Sequence, residues 1–188
     1  MGKHEILQTI WHNKPAFKSP PEEFKEYSTS IKQDLLEELK ESLKREGVFV
    51  KELEENEVTE FITKSYRQTI DFTKMEGWKK FDENCSKTEL ERIENVLING
   101  LFGVSENGAI WIDDSCIPNR LIPFISERLI IKLNKNDIIS NMYLAYKKIK
   151  QKDCGFGVFV SGPSKTADIE QSLVYGAHGA IHLHMILY

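Results

Sequence analysis

The densest run of small and polar residues in the chain is Ser161-Gly162-Pro163-Ser164-Lys165-Thr166-Ala167-Asp168-Ile169-Glu170. It follows the β-prone string Phe156 to Val160 and leads into Gln171 to Tyr175, which reads as a short helix ending near Gly176. Such a loop can bring backbone N–H groups, the hydroxyls of Ser161, Ser164 and Thr166, and the Lys165 ammonium to one point. That is the chemistry of an oxyanion site at a helix N-terminus. It is not a Walker A loop, because Ser164 stands where a glycine must precede the lysine. The competing reading is a tight strand-to-helix turn in which Asp168 caps the helix and Gln171 completes a capping box. In an open α/β sheet, ligands settle at the carboxyl ends of strands, and this loop follows a strand.

Other reactive side chains gather around small-residue turns. His178 sits in Gly176-Ala177-His178-Gly179, where an imidazole either serves as a general acid/base or ligand donor, or fastens the turn to a backbone carbonyl. Glu106 and Glu170 lie in loops beside small residues, as paired acid/base carboxylates or as ordinary solvated acids. Lys165 and Arg120 offer positive charge to a carboxylate or phosphate, Arg120 with the better bidentate geometry. In a strand over Ile181–Tyr188, His182 and His184 share one face, yet no carboxylate or cysteine stands at ligand spacing to complete a metal site. The three cysteines, Cys85, Cys116 and Cys154, are 31 and 38 positions apart. They cannot supply the four thiolates of a conventional iron–sulfur cluster. Gly155 and Gly157 precede a strand rather than follow one, which is the wrong context for a dinucleotide loop. No cofactor is expected on these grounds.

The elements that must position these groups follow from periodicity. Phe24, Tyr27, Ile31, Leu35, Leu39 and Leu43 recur every three or four residues, predicting a helix from Pro21 to Gly47. Val48–Val50 reads as a short strand and Glu57–Thr69 as a second helix. Thr88 and Glu91, at capping-box spacing, predict a third helix over Thr88–Asn99. Beyond Gly100 the texture changes to short apolar strings at Ala109–Ile112, Leu129–Leu133, Phe156–Val160 and Ile181–Tyr188, with a helix over Asp137–Lys150 between them. Alternating strands and helices predict an α/β fold with a mostly parallel sheet, flanking helices and an N-terminal helical segment. Trp111 and Phe102 belong to its core. Residues 1–20 form an N-terminal arm in which Ile6, Leu7, Ile10 and Trp11 lie at amphipathic spacing, and 21–188 form a single domain.

Composition narrows the class. The 188 residues are 40% hydrophobic and 29% charged with a net charge of −4, which suits one globular domain and argues against general nucleic-acid binding. The first 100 residues hold 37 charged side chains and the remaining 88 hold 17, so solvated helices precede a buried sheet. No run approaches 18 consecutive apolar residues, and Met1–Lys14 lacks the apolar core of a secretory signal. The odd cysteine count fits free thiols, and the expectation is a cytoplasmic protein with no membrane contact.

Ser161 to Glu170, followed by Leu173-Val174-Tyr175-Gly176-Ala177-His178-Gly179, resembles the signature of the LUD (lactate utilization domain) family. Gly103-Val104-Ser105-Glu106-Asn107-Gly108-Ala109-Ile110-Trp111-Ile112 is similar to that family's second motif, and Arg120, Leu121 and Pro123 fit the stretch after it. The resemblance covers about residues 88–188. Ala180 replaces the family's usual proline after His-Gly, and Asn107 replaces its usual threonine. The resemblance implies a NagB/RpiA-like fold of the sugar-isomerase and CoA-transferase type, and a role in lactate oxidation to pyruvate beside iron–sulfur oxidoreductase partners. Together with the loop chemistry above, the expectation is a small anionic ligand held by Ser161, Gly162, Ser164, Lys165, Thr166, Asp168, Asn107, Gly108 and Arg120. Should the protein be an enzyme, Glu106, Glu170 and His178 are the candidate catalytic residues. A glutamate in the related enzyme fold can attack a thioester or shuttle a proton. A free-standing enzyme acting on a phosphorylated sugar or acyl-CoA, and a non-catalytic regulatory subunit, stay open beside this reading, as does homo-oligomerisation.

Overall fold

The computed structural model describes residues 2–13, 34–74, 77–78, 93–150, 154–167 and 173–188. The chain divides into two units, Met1–Lys32 and Gln33–Tyr188. In the first, helix α1 (Lys3–His12) opens with the Gly2 N–H donating to the Glu5 carboxylate at 2.8 Å.

The second unit is built on β-strings too apolar to face water. Five strands pair in the order β1 (Phe49–Glu52), β11 (His182–Leu187), β6 (Arg128–Leu133), β3 (Asn95–Asn99) and β2 (Thr69–Asp71). Every pairing among them is parallel. Such sheets need cover on both faces, which is why Val96–Ile98 and Leu129–Ile131 are almost continuously apolar and buried. Helix α3 (Glu55–Ser65) covers one face, packing Val58 and Ile62, with Tyr66 just beyond, against Leu97, Ile130 and Ile186. The other face buries Val96, Ile98, Leu129, Ile131, Leu183 and Met185 against Leu39 and Leu43 of helix α2 (Leu35–Arg45) and against a second sheet. Each fully buried Leu or Ile there contributes about 1.5–3 kcal/mol.

That second sheet is a finding beyond the expected architecture. It has the order β7 (Ile138–Ile139), β4 (Phe102–Val104), β5 (Ala109–Asp113) and β8 (Gly157–Val160), antiparallel except where β7 meets β4. Strand β5 is buried on both sides: Ile110 and Ile112 face the large core, while Ala109 and Trp111 join Phe102 and Ala145 of helix α5 (Met142–Ile149). A short helix α4 (Ile122–Ile125) precedes β6, and a hairpin of β9 (Lys165–Ala167) with β10 (Leu173–Tyr175) precedes β11. The expected α/β class, with a mostly parallel central sheet and flanking helices, is what the molecule shows.

Several element boundaries differ from the sequence expectation. The described first helix of this unit starts at Leu35, where the Asp34 carboxylate accepts from the Leu36 N–H at 3.2 Å; the expected opening at Pro21 lies outside the described residues. The second helix runs over Glu55–Ser65, and Thr69 already belongs to β2. The helix expected through Asn99 is contradicted, because Asn95–Asn99 is a strand between β2 and β6. A run buried on both faces carries no period that separates strand from helix, and the sheet decided it. Its expected cap, Thr88, lies outside the described residues. Leu173–Tyr175 is likewise a strand rather than a helix, satisfying its backbone against β9. The helix expected from Asp137 begins at Met142, since Ile138 and Ile139 pair with β4. Among the described residues no helix is long and apolar enough to cross a membrane.

Candidate functional site

The chain leaves β8 at Ser161, crosses Gly162-Pro163-Ser164 and re-enters a strand at Lys165. Ser164 is the hub of this corner of the molecule. Its N–H donates to the Ala180 carbonyl at 2.8 Å, and its own carbonyl accepts from the Gly176 N–H at 3.1 Å. Its hydroxyl accepts from the His178 N–H at 3.3 Å. Three bonds from one residue thus pin the Gly176–Ala180 turn against the Ser161–Ser164 loop. Gly176 has φ +79° and Gly179 passes so close that an added Cβ would lie 3.2 Å from Ser164 Cβ, which explains the small residues in this turn.

Ser161, Gly162, Ser164, Lys165, Thr166 and His178 line one cavity of about 360 Å³. Its remaining wall is apolar: Pro123 and Phe124 of α4, Leu129, Val158, Val160, Ala180 and Leu183. Lys165 and His178 are its only ionisable lining residues among those described. Lys165 is held from outside, its Nζ donating to the Glu46 carbonyl at 2.6 Å with the Glu46 carboxylate 3.7 Å away. Glu46 is the C-cap of α2, so the lysine also meets the negative end of that helix.

Two expectations about this site are corrected. Among the described residues no helix N-terminus follows the loop, because Lys165–Ala167 and Leu173–Tyr175 pair as a hairpin. The cavity also lies at the amino ends of the parallel strands: Leu129 and Leu183 are second residues of β6 and β11. The loop does follow a strand end, but that strand, β8, belongs to the smaller sheet.

The other predicted residues are distributed elsewhere. The Glu106 carboxylate accepts from the Met142 N–H at 2.9 Å and so caps α5 rather than lining the cavity. Asn107 and Gly108 do not line it either. They build the turn before β5, where the Asn107 side-chain oxygen accepts from the Ala109 N–H at 3.0 Å and Gly108 adopts φ +70°. A Cβ on Gly108 would stand 3.2 Å from the Leu43 backbone nitrogen, so this turn needs glycine to let α2 approach. Its link to the cavity is the Ser161 hydroxyl, which donates to the Asn107 carbonyl at 2.7 Å. Arg120 is exposed, 3.8 Å from the Asp114 carboxylate and over the Phe156 ring, and does not reach the cavity. Asp168 and Glu170, with the proposed capping role of Gln171, lie outside the described residues.

Sequence reasoning overlooked a second polar cluster on the α3 face. The Tyr66 hydroxyl lies 2.7 Å from His184 Nδ1, with Arg128 over the Tyr66 ring and His182 next along the strand. Burial, then the Arg128 charge, then His182 hold the His184 imidazole down at a pKa of about 4. Burial also pushes the Tyr66 phenol up. The pair spans 118 positions, and no local pattern could have joined them. Among the described residues no group of three His, Cys, Asp or Glu side chains could hold a metal.

A family model described as the LUD domain matches residues 22–188. A curated protein named lactate utilization protein C from Shouchella clausii is 30% identical over 110 residues, covering 54% of this chain and 48% of that protein. Its namesake from Bacillus licheniformis is 30% identical over 117 residues, covering 56% and 49%. The uncharacterized protein YkgG of Escherichia coli is 29% identical over 105 residues, covering 53% and 45%. The chain spans about half the length of the curated relatives it matches. A crystal structure of a DUF162 family protein from Deinococcus radiodurans superposes with a TM-score of 0.60 at 16% identity, covering 82% of this chain and 96% of that one. At that identity the likeness speaks for the fold.

Proposed function

Because the chain belongs to the LUD-domain family, we propose that it is an accessory component of lactate oxidation to pyruvate. It binds a small anionic ligand in the Ser161–Thr166 and His178 cavity and acts in the cytoplasm with iron–sulfur partner proteins. The observation that carries this reading is the convergence of six motif residues on one cavity with an apolar floor. Hydroxyls, a lysine and an imidazole at its rim suit the carboxylate of a short-chain acid, and the apolar wall suits its carbon skeleton. Three widely spaced cysteines cannot bind a four-thiolate cluster, so this reading assigns the iron–sulfur chemistry to the partner proteins. The curated relatives named for lactate utilization support the process.

The test is thermal denaturation of the purified protein with lactate, pyruvate, phosphate, sugar phosphates or coenzyme A. A ligand at 100 times its dissociation constant stabilises by about 2.7 kcal/mol, which at this size raises the midpoint by about 5–11 °C. The expected result is a rise with lactate or pyruvate that His178→Ala and Lys165→Ala abolish. Retention of iron–sulfur proteins on the immobilised chain tests the partnership. A rise confined to sugar phosphates or coenzyme A would instead favour a free-standing enzyme. No rise and no retained partner would overturn the proposal.

A further inference from the structure

The cavity of the motif loop is divided by chemistry. Its polar groups come from Ser161–Thr166 and His178, and its apolar lining comes largely from β8 and α4. The Ser164 hydroxyl accepts from the His178 N–H at 3.3 Å and so keeps its own proton to donate. On the apolar side, Val158 and Val160 stand on the outer strand of the smaller sheet and are only half-buried. The Phe124 ring is 38% exposed. Apolar surface is therefore left open at the cavity, and covering it with hydrocarbon is favourable.

The size of the space bears on what fills it. A volume of about 360 Å³ corresponds to about twelve waters at about 30 Å³ each, about twice the non-hydrogen atoms of lactate or pyruvate. An acid of three carbons leaves much of that space to water. Phe124 and Gly179 also border a larger groove of about 870 Å³, so the ring stands where one hollow meets the other. Ile125 and Ile181 continue the apolar lining there, and Glu94 and Glu127 are its ionisable lining residues among those described. A ligand reaching past Phe124 thus runs from a lysine and an imidazole towards two carboxylates. An uncharged end is favoured there over a second anionic group.

We propose that the cavity takes 2-hydroxy or 2-oxo monocarboxylates whose apolar chain is longer than that of lactate, with Phe124 packing on the chain. This inference rests on the reading of the cavity as the site of a small carboxylic acid, and it extends the ligand class beyond three carbons. The carboxylate lies at Lys165 and His178, and the chain runs over Val158 and Val160 to Phe124. Each methylene buried on the way tightens binding by about fourfold. Lactate and pyruvate are the shortest members of the class and leave the apolar wall bare.

The test is titration calorimetry of the full chain with pyruvate, 2-oxobutanoate, 2-oxopentanoate and 2-oxohexanoate. The expected result is stepwise tightening along the series, with 2-oxohexanoate bound at least about tenfold more tightly than pyruvate. 2-Oxoadipate, of equal length but with a second carboxylate, should bind at least about tenfold more weakly than 2-oxohexanoate. Phe124→Ala should remove most of the gain for 2-oxohexanoate while leaving pyruvate within about twofold, and Phe124→Leu should keep most of it. Leu121→Ala, an exposed change that lines neither hollow, should match wild type. Equal affinities along the series, or tightest binding of pyruvate, would overturn this inference and leave the acid site standing. So would a Phe124→Ala variant that weakens pyruvate and 2-oxohexanoate in the same proportion, because Phe124 would then shape the cavity without touching the chain. Preference for 2-oxoadipate over 2-oxohexanoate would overturn the assignment to monocarboxylates. Binding of none of these acids would overturn the proposed function together with this extension of it. The wild-type series decides the chain length whatever the Phe124 variants do.

Discussion

The Ser161 hydroxyl donates to the backbone carbonyl of Asn107 at 2.7 Å, joining two motif turns that are 54 positions apart. One turn ends the outer strand β8 and the other precedes β5, so this bond sets how the cavity loop sits on the smaller sheet. Ser161→Ala removes the donor from a contact open to water, at a cost of about 0.5–1 kcal/mol. Scanning calorimetry should show a midpoint lowered by about 1–4 °C. The larger effect should be on the ligand-induced rise, because Ser161 also lines the cavity. A variant with wild-type ligand response would remove Ser161 from the binding surface.

Gly157 lies against the Trp111 ring, and an added Cβ would stand 2.1 Å from Cζ2 and 2.2 Å from Cη2. Trp111 is itself held between Phe102 and Phe159, so the ring has nowhere to retreat. Gly157→Ala should therefore destabilise the protein by about 2–3 kcal/mol through overpacking. Urea denaturation measures it. Combining it with Trp111→Leu should cost less than the sum of the two single changes, and strict additivity would contradict the assigned contact.

His184 gives the protein a defined response to acid. Its folded pKa of about 4 lies below the ordinary histidine value of 6.5, principally through burial and secondly through Arg128. Between those two values the unfolded chain binds a proton that the folded chain refuses. Stability is thus complete above pH 6.5 and falls as the pH drops toward 4, by about 3 kcal/mol at most. His184→Gln should flatten this part of the profile. Equal slopes for wild type and variant, from urea midpoints measured between pH 4 and 7, would refute the burial argument.

Ser105 is fully buried, its hydroxyl 2.6 Å from a Glu38 carboxylate oxygen and 3.1 Å from the Ser140 carbonyl. Its own carbonyl accepts from the Ser42 hydroxyl at 2.8 Å. These contacts fasten α2 onto the Ser105–Gly108 turn. Ser105→Ala leaves Glu38 short of a donor, and a loss of about 1–3 kcal/mol is expected in chemical denaturation. Hydrogen exchange should quicken in α2 before it quickens in β6. Uniform quickening would show that α2 is not anchored there.

The legible parts of the fold were those in which residue type alone restricts the backbone. Ala109–Ile112 and Leu129–Leu133 are strands as expected, since β-branched runs of that length suit a buried sheet. The Gly176–Gly179 turn and the Ser161–Ser164 loop were also visible, because positive φ and close backbone approach demand glycine and small residues. Val96–Ile98 misled, because complete burial erases the pattern from which a strand is told apart. Glu106 misled differently: a carboxylate in a motif turn looks the same in sequence whether it faces a ligand or the first N–H of a helix, and here it faces Met142.

The family, the α/β class and the identity of the loop residues were all readable from the order of amino acids, because each rests on local composition and on strings of neighbouring positions. Folding in three dimensions decided that the cavity opens at the amino ends of the parallel strands, and that Glu106 and Arg120 stand away from it. It also decided that Tyr66, Arg128 and His184 meet. The reason is physical: a strand's direction and register are set by which neighbours exclude water from both of its faces, and a hydrogen bond across 118 positions leaves no trace in either partner's surroundings along the chain.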